Sequence, residues 1–212
     1  MSAEVRCIKV DPEEPDAEAI RAAAACILAG GVVAFPTDTL YGLAADPRNE
    51  AGVRKVFAVK QRPADRPLPL IAGTAEAAEG AARLTPVARR LAARFWPGPL
   101  TLIVPADPAI VADVHQGSGH VGIRVPDHAV ARALALAAGG VVTATSANRS
   151  GEPAAELAEA VLDLVTAGLD LLLDAGPVRG GAPSTVVDVT GERPVLVRAG
   201  ALPWERVLEF LG

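Results

Sequence analysis

The sequence predicts an α/β fold, a mixed sheet with helices packed on it. Two observations predict it. Short β-branched runs alternate with alanine-rich runs of helical length, which calls for sheet and helix together. The last three strand candidates follow one another with no helix between them, which calls for antiparallel members. Residues 16–29 read as a helix that stops at Gly30-Gly31. Residues 32–36 read as a strand. Residues 49–60 read as a helix with Val53, Val56 and Phe57 on one face. Residues 68–72 read as a strand, and Pro69 inside it predicts an edge position. Thr85-Pro86 is an N-cap and first-turn pair for a helix over 86–95. Strands are expected at 100–104, 121–125 and 141–145, a helix at 128–138 capped by Asp127, and another at 154–166. The tail reads as strands at 170–173, 185–189 and 195–198, then a helix over 204–211.

The chain has 212 residues, half of them apolar, so one domain can hide ~70% of its unfolded surface. No linker, repeat or low-complexity stretch divides it, and a single domain over 1–212 is expected. Aromatics are scarce, so the core must be built from Ala, Val, Leu and Ile. A net charge of −5 argues against a general nucleic-acid coat. A local basic site remains compatible with it: Arg54, Lys55, Lys60, Arg62 and Arg66 face Asp65 alone within residues 54–66. Such a cluster serves either as a solvated helix face or as a seat for a small anion. Cys7 and Cys26 have neither metal-ligand spacing nor a disulfide framework, and the three histidines lack helical zinc spacing, so no metal site is expected. The apolar run 22–35 follows an acidic segment and is broken by Gly30-Gly31. It is too short for a membrane span and wrong for a signal peptide, so a soluble cytoplasmic protein is expected.

Three polar segments carry the chemistry. Lys60 continues the stripe of Val53, Val56 and Phe57, which puts a cation on the apolar face of its own helix, either snorkelling or coordinating. Ser146-Ala147-Asn148 follows a buried strand. Beyond the carboxyl ends of strands is where α/β sheets hold ligands, although the same residues also stabilise turns. Phe35-Pro36-Thr37-Asp38-Thr39 leaves another strand end, where Asp38 and the threonines either cap a turn or bind a small polar substrate. Arg124 lies in the strand-like run Val121–Val125 and needs an anionic partner, from the protein or from a ligand. Residues 176–183 form a glycine- and proline-rich loop before Ser184, either a closing segment or a simple connection. Neither a Walker A sequence nor Gly-x-Gly-x-x-Gly is present.

Six segments together resemble the YrdC/TsaC family of L-threonylcarbamoyladenylate synthases. They are Pro36–Leu43, Lys60–Pro63, Trp96–Thr101, Gly122–Pro126, Ser146–Asn148 and Pro183–Asp188, in that order along the chain. The resemblance implies a twisted open sheet of mixed parallel and antiparallel strands with a positively charged concave face, in the short, single-domain form. It implies that threonine, bicarbonate or carbon dioxide, and ATP give threonylcarbamoyl-AMP and pyrophosphate. It implies Thr39 and Arg124 on threonine, with Lys60, Arg62, Arg66, Ser146, Asn148, Ser184 and Arg198 around ATP. Lys60, Arg62, Ser146 and Asn148 would then stand nearest the chemistry. Magnesium on the phosphates, a downstream tRNA threonylcarbamoyl transferase complex and weak contact with tRNA belong to the same expectation. Pro69 and Ile71 depart from the common pattern at the pocket edge. An RNA-binding module and a carbamoyl-transfer domain, as in hydrogenase-maturation carbamoyltransferases, are the competing readings.

Overall fold

The computed structural model describes residues 5–61, 66–148, 155–165 and 167–212. In chain order the elements are β1 (Arg6–Lys9), α1 (Ala17–Leu28), β2 (Val33–Phe35), β3 (Gly42–Ala44), α2 (Glu50–Lys60), β4 (Leu70–Ala72), α3 (Ala75–Glu79), α4 (Pro86–Phe95), β5 (Leu100–Pro105) and α5 (Ala112–His115). There follow β6 (His120–Arg124), α6 (Ala129–Ala137), β7 (Val141–Thr143), β8 (Thr145–Ser146), α7 (Ala158–Val165), β9 (Leu171–Asp174), β10 (Thr185–Asp188), β11 (Val195–Arg198) and α8 (Trp204–Leu211).

The helices start where their caps dictate. Asp16 accepts from the backbone N–H groups of Glu18 and Ala19 at the head of α1, Asn49 from Gly52 at α2, and Thr85 from Ala88 at α4. Helix α2 ends at Gln61, whose φ of 49° lies in the left-handed region and halts propagation.

Among the described residues the strands fall into two mixed sheets. The first runs β1-β9-β2-β3-β8 and the second β11-β10-β5-β6-β4-β7. In the first, β1, β9 and β2 are mutually parallel, and β3 and β8 add antiparallel members. In the second, β10 with β5 and β6 with β4 are parallel pairs, and the other ladders are antiparallel.

The two-residue period of the strands feeds two cores. Val33 and Phe35 of β2, Leu171 and Leu173 of β9, Ile71 and Val142 pack against α1 and α6. Ala34, Leu172, Leu70, Ala72 and Val141 point the other way into the larger core, with Leu100, Leu102 and Ile123. Strands buried on both faces read as continuous apolar runs rather than alternating ones.

Three expectations are corrected. β4 lies inside the second sheet, between β6 and β7, and not at an edge. The ladder begins at Leu70, so the missing N–H of Pro69 falls outside it, while the Pro69 carbonyl still accepts from Ala144. Residues 141–145 do not form one strand: the chain leaves the second sheet after Thr143 and enters the first at Thr145, turning at Ala144. Asp127 does not cap α6. His128 occupies that position without a side-chain bond, while the Asp127 backbone donates to Asp38 and its carboxylate meets Arg132. Three of the cations in residues 54–66 are held by protein oxygens. Arg54 pairs with Glu50 and Asp113, Lys55 with Asp170, and Lys60 turns inward.

Candidate functional site: a cavity between two arginines

Strand register builds the site. Along β5 and β6, Leu100, Leu102, Val121 and Ile123 enter the core, while Thr101, Ile103, Gly122 and Arg124 line the opposite face. Leu102 pairs with Ile123, which sets Thr101 and Arg124 one step further along the same ladder. Thr101 pairs with Val186 on β10, and Val186 with Arg198 on β11. One row across four strands therefore reads Arg124, Thr101, Val186, Arg198. All four line a cavity of about 380 Å³, closed on the other side by the 37–42 segment and by Thr145 and Ser146 of the first sheet. The described lining contains two guanidiniums, six hydroxyl residues besides Tyr41, and no carboxylate.

Each arginine is held by one edge. Arg124 is 7% exposed, and its Nη1 donates to both oxygens of Asp38, at 2.9 and 3.1 Å. Its Nε and Nη2 have no partner among the described residues. Arg198 donates through Nε and Nη2 to the Ser184 carbonyl, at 3.2 and 2.8 Å, and through Nη2 to Ser184 Oγ at 3.2 Å. Gly200 permits that approach, because a Cβ there would overlap the Pro183 carbonyl and the Thr185 nitrogen. Burial, and then the charge of Arg124, push Arg198 below the usual arginine range. The two guanidiniums thus feel each other across the cavity, an arrangement that an anion between them would relieve.

Lys60 is 2% exposed and does not line the cavity. Its ammonium donates to four oxygens of the turn after β8: the Ser146 carbonyl at 2.6 Å, Ser146 Oγ at 3.1 Å, the Asn148 carbonyl at 3.1 Å and Asn148 Oδ1 at 2.6 Å. Ser146 Oγ donates in turn to Asn148 Oδ1 at 2.6 Å. The cation on the apolar face of α2 is therefore neither snorkelling nor exposed. It locks the turn that presents Ser146 to the cavity.

The structure brings Thr39, Arg124, Ser146, Ser184 and Arg198 to one cavity, with Lys60 and Asn148 directly behind Ser146. Arg62 lies outside the described residues. Arg66 is exposed and outside the lining, just before Pro67, which enters it. Thr37 is a turn-former: its Oγ1 donates to the Leu40 carbonyl and accepts from the N–H groups of Thr39 and Leu40. Sequence reasoning does not single out Thr101, which ends the Trp96–Thr101 segment. The strand period shared with Arg124 was the signal that could have found it. Nor does sequence reasoning single out His128, whose buried Nδ1 has no partner among the described residues and lies in the field of Asp38. Burial pushes that imidazole below its usual range, against the raising effect of Asp38. Among the described residues, no group of three or more His, Cys, Asp or Glu side chains is placed to hold a metal, and no helix is long and apolar enough to cross a membrane.

Comparison with known proteins gives this geometry its relatives. The Sua5/YciO/YrdC family model, described as telomere recombination, matches residues 25–200. Threonylcarbamoyl-AMP synthase of Pyrococcus abyssi is 40% identical over 194 residues, covering 91% of this chain and 57% of the relative. This chain therefore spans little more than half the length of that protein. A putative threonylcarbamoyl-AMP synthase of Mycobacterium leprae is 37% identical, covering 95% of this chain and 93% of the relative. The crystal structure of P. abyssi Sua5 complexed with L-threonine superposes with a TM-score of 0.91 at 39% identity, over 97% of this chain and 61% of that one. A match across most of the sequence, together with the same backbone, settles the lineage: this chain belongs to the Sua5/YciO/YrdC family.

Proposed function

We propose that this protein is an L-threonylcarbamoyladenylate synthase, converting L-threonine, bicarbonate or carbon dioxide, and ATP to threonylcarbamoyl-AMP and pyrophosphate. The observation that carries the reading is the pair Arg124 and Arg198, bracketing a cavity whose described lining has hydroxyls but no carboxylate. Such a cavity suits two anions brought together, a carboxylate and a phosphate chain. The relatives' names, and the threonine complex of P. abyssi Sua5, support the same chemistry.

The roles follow from placement. Asp38 holds one edge of Arg124, which leaves the rest of the fork for the carboxylate of threonine, with the Thr39 hydroxyl beside it. Arg198, Ser184 and Ser146 face the nucleotide, with Arg62 and Arg66 on the segment that follows α2. Lys60 and Asn148 hold Ser146 in place. The neutral threonine amine forms a bond to the carbon of bicarbonate with loss of water, or to the carbon of carbon dioxide with loss of a proton to solvent, and a carbamate results. A carbamate oxygen then bonds to the α-phosphorus as the bond to the bridging oxygen breaks, and pyrophosphate leaves with that electron pair. Positioning and charge neutralisation supply most of the acceleration of such a transfer. Magnesium would arrive with ATP and offset phosphate charge, since the described lining offers hydroxyls and guanidiniums rather than carboxylates to hold the ion itself. The adenylate passes in the cytoplasm to a tRNA threonylcarbamoyl transferase complex, which modifies an adenosine in tRNAs reading codons that begin with A.

The test is pyrophosphate release from ATP with threonine or bicarbonate omitted in turn. Release that requires both supports the reading. Release that continues without threonine refutes it, and points to carbamoyl transfer or simple hydrolysis.

A further inference from the structure

We infer that Thr101 is a further substrate-contacting residue, whose hydroxyl, aligned by Ser184, points a donor at the oxygens lying between Arg124 and Arg198. The inference rests on the synthase reading for the identity of those oxygens, and on geometry alone for the site. Thr101 is 5% exposed and sits second in the row Arg124, Thr101, Val186, Arg198, whose ends lie three strand spacings apart, about 14 Å. Whatever anion both arginines share lies above it.

Counting protons gives the direction. Arg198 can only donate, and its Nη2 lies 3.2 Å from Ser184 Oγ. Ser184 Oγ lies 2.8 Å from Thr101 Oγ1, so one of the two hydroxyl protons is used between them. The other has no acceptor among the described residues, and both residues line the cavity. A hydroxyl polarised by a guanidinium is the better donor, so the chain runs from Arg198 to Ser184 to Thr101 and leaves the Thr101 proton for the ligand. The rotamer is fixed by sterics. The Thr101 γ-methyl fills the space over Gly122, 3.1 Å from where a Cβ would stand, which turns the hydroxyl toward Ser184.

A donor at the seam between the two bound substrates meets charge that develops during transfer, so its loss should appear in kcat more than in either KM. Thr101→Val keeps the shape and removes the hydroxyl. Thr101→Ala is a second hydroxyl-free variant should valine fail to fold, and Thr101→Ser restores the hydroxyl without the methyl. Threonine-dependent pyrophosphate release should fall roughly tenfold or more in kcat for the hydroxyl-free variants. Their KM for ATP should change by less than about twofold, and serine should recover most of the rate. The ligand-free melting temperature should move by no more than about 2–4 °C, the effect of one lost hydrogen bond in a chain of this size. Wild-type kcat in Thr101→Val, or a serine variant as impaired as the valine one, overturns the inference. Should the wild type release no pyrophosphate with threonine, the synthase reading fails and the inference is judged by thermal shift with inorganic pyrophosphate. Stabilisation of the wild type that shrinks in Thr101→Val and returns in Thr101→Ser then supports it. Equal stabilisation of wild type and valine variant, or none of either, overturns it.

Discussion

Lys60→Met tests whether the buried ammonium is the organiser of the Ser146–Asn148 turn. Methionine keeps the length of the side chain on the apolar face of α2 and removes only the charge and its donors. Four oxygens lie within 3.1 Å of Nζ, and an ammonium has three protons, so at least one is shared. Ser146 Oγ and Asn148 Oδ1 keep each other after the change, but the carbonyls of Ser146 and Asn148 lose this donor. A hydrogen bond to a charged group contributes about 1.5–3 kcal/mol, and two are lost outright. Removing a desolvated cation returns part of that. The net loss is about 2–4 kcal/mol, or a fall in melting temperature of roughly 10 °C at about 2–4 °C per kcal/mol for this size. Because the turn presents Ser146 to the cavity, threonine-dependent pyrophosphate release should drop with it. Calorimetric melting alongside the release assay reads both effects. A variant that melts within about 2 °C of wild type and turns over normally would show that neither turn nor site depends on Lys60.

Three further outcomes follow from the same geometry. Arg124→Lys should raise the KM for threonine and leave that for ATP nearly unchanged, because the fork on Asp38 and the cavity becomes a single point charge; an equal rise for both substrates in steady-state kinetics would contradict the role. Tyr41 is the chain's one tyrosine; burial pushes its hydroxyl from 10.0 up to about 12, while the OH donates to the Gly176 carbonyl and accepts from the Ala175 N–H. The unfolded chain releases this proton first, so the stability it gives is fully present below pH 10 and lost as pH rises through about 12, about 3 kcal/mol in all; tyrosinate absorbance that titrates near 10 in the folded protein would rule this out. Among the described residues, 179–182 find no backbone hydrogen-bond partner, between anchors at Tyr41, at the Val178 N–H bonded to the Glu156 carbonyl, and at the Ala201 N–H bonded to the Pro183 carbonyl. Their amide exchange should slow when ATP and threonine are added together, and unchanged exchange at saturating ligand would mark the segment as a static connection.

The sequence made the long elements legible and the corners obscure, for physical reasons. Helix α1 announces itself through its stop at Gly30-Gly31, α2 through the stripe of Val53, Val56 and Phe57, and α4 through the cap pair Thr85-Pro86, since such signals are local. Strands β10 and β11 stand out by β-branched composition. β3 carries no strand signature in Gly42-Leu43-Ala44, and β8 is half hidden, with Thr145 alone inside the expected 141–145 strand; both pair only through tertiary contact. β1 alternates too weakly to be read, and α3 and α5, at five and four residues, are shorter than a periodicity can reveal. Pro69 predicted an edge because sequence shows that a donor is missing, but not where the ladder begins. At the site, Arg124 demanded an anionic partner and has one in Asp38, but the bond 86 positions away in sequence left no local trace. The division of strands between two sheets, which opens the cavity, is likewise a matter of register and not of composition.

The most direct test of the account is to detect the product itself. Wild-type protein incubated with ATP, threonine and labelled bicarbonate should yield a labelled adenylate by rapid mass spectrometry, with pyrophosphate formed in equal amount. Arg124→Ala and Arg198→Ala, each still folded by its melting curve, should lose it. Formation of labelled adenylate at the wild-type rate in both variants would contradict the claim that the cavity between the two arginines is where the chemistry occurs.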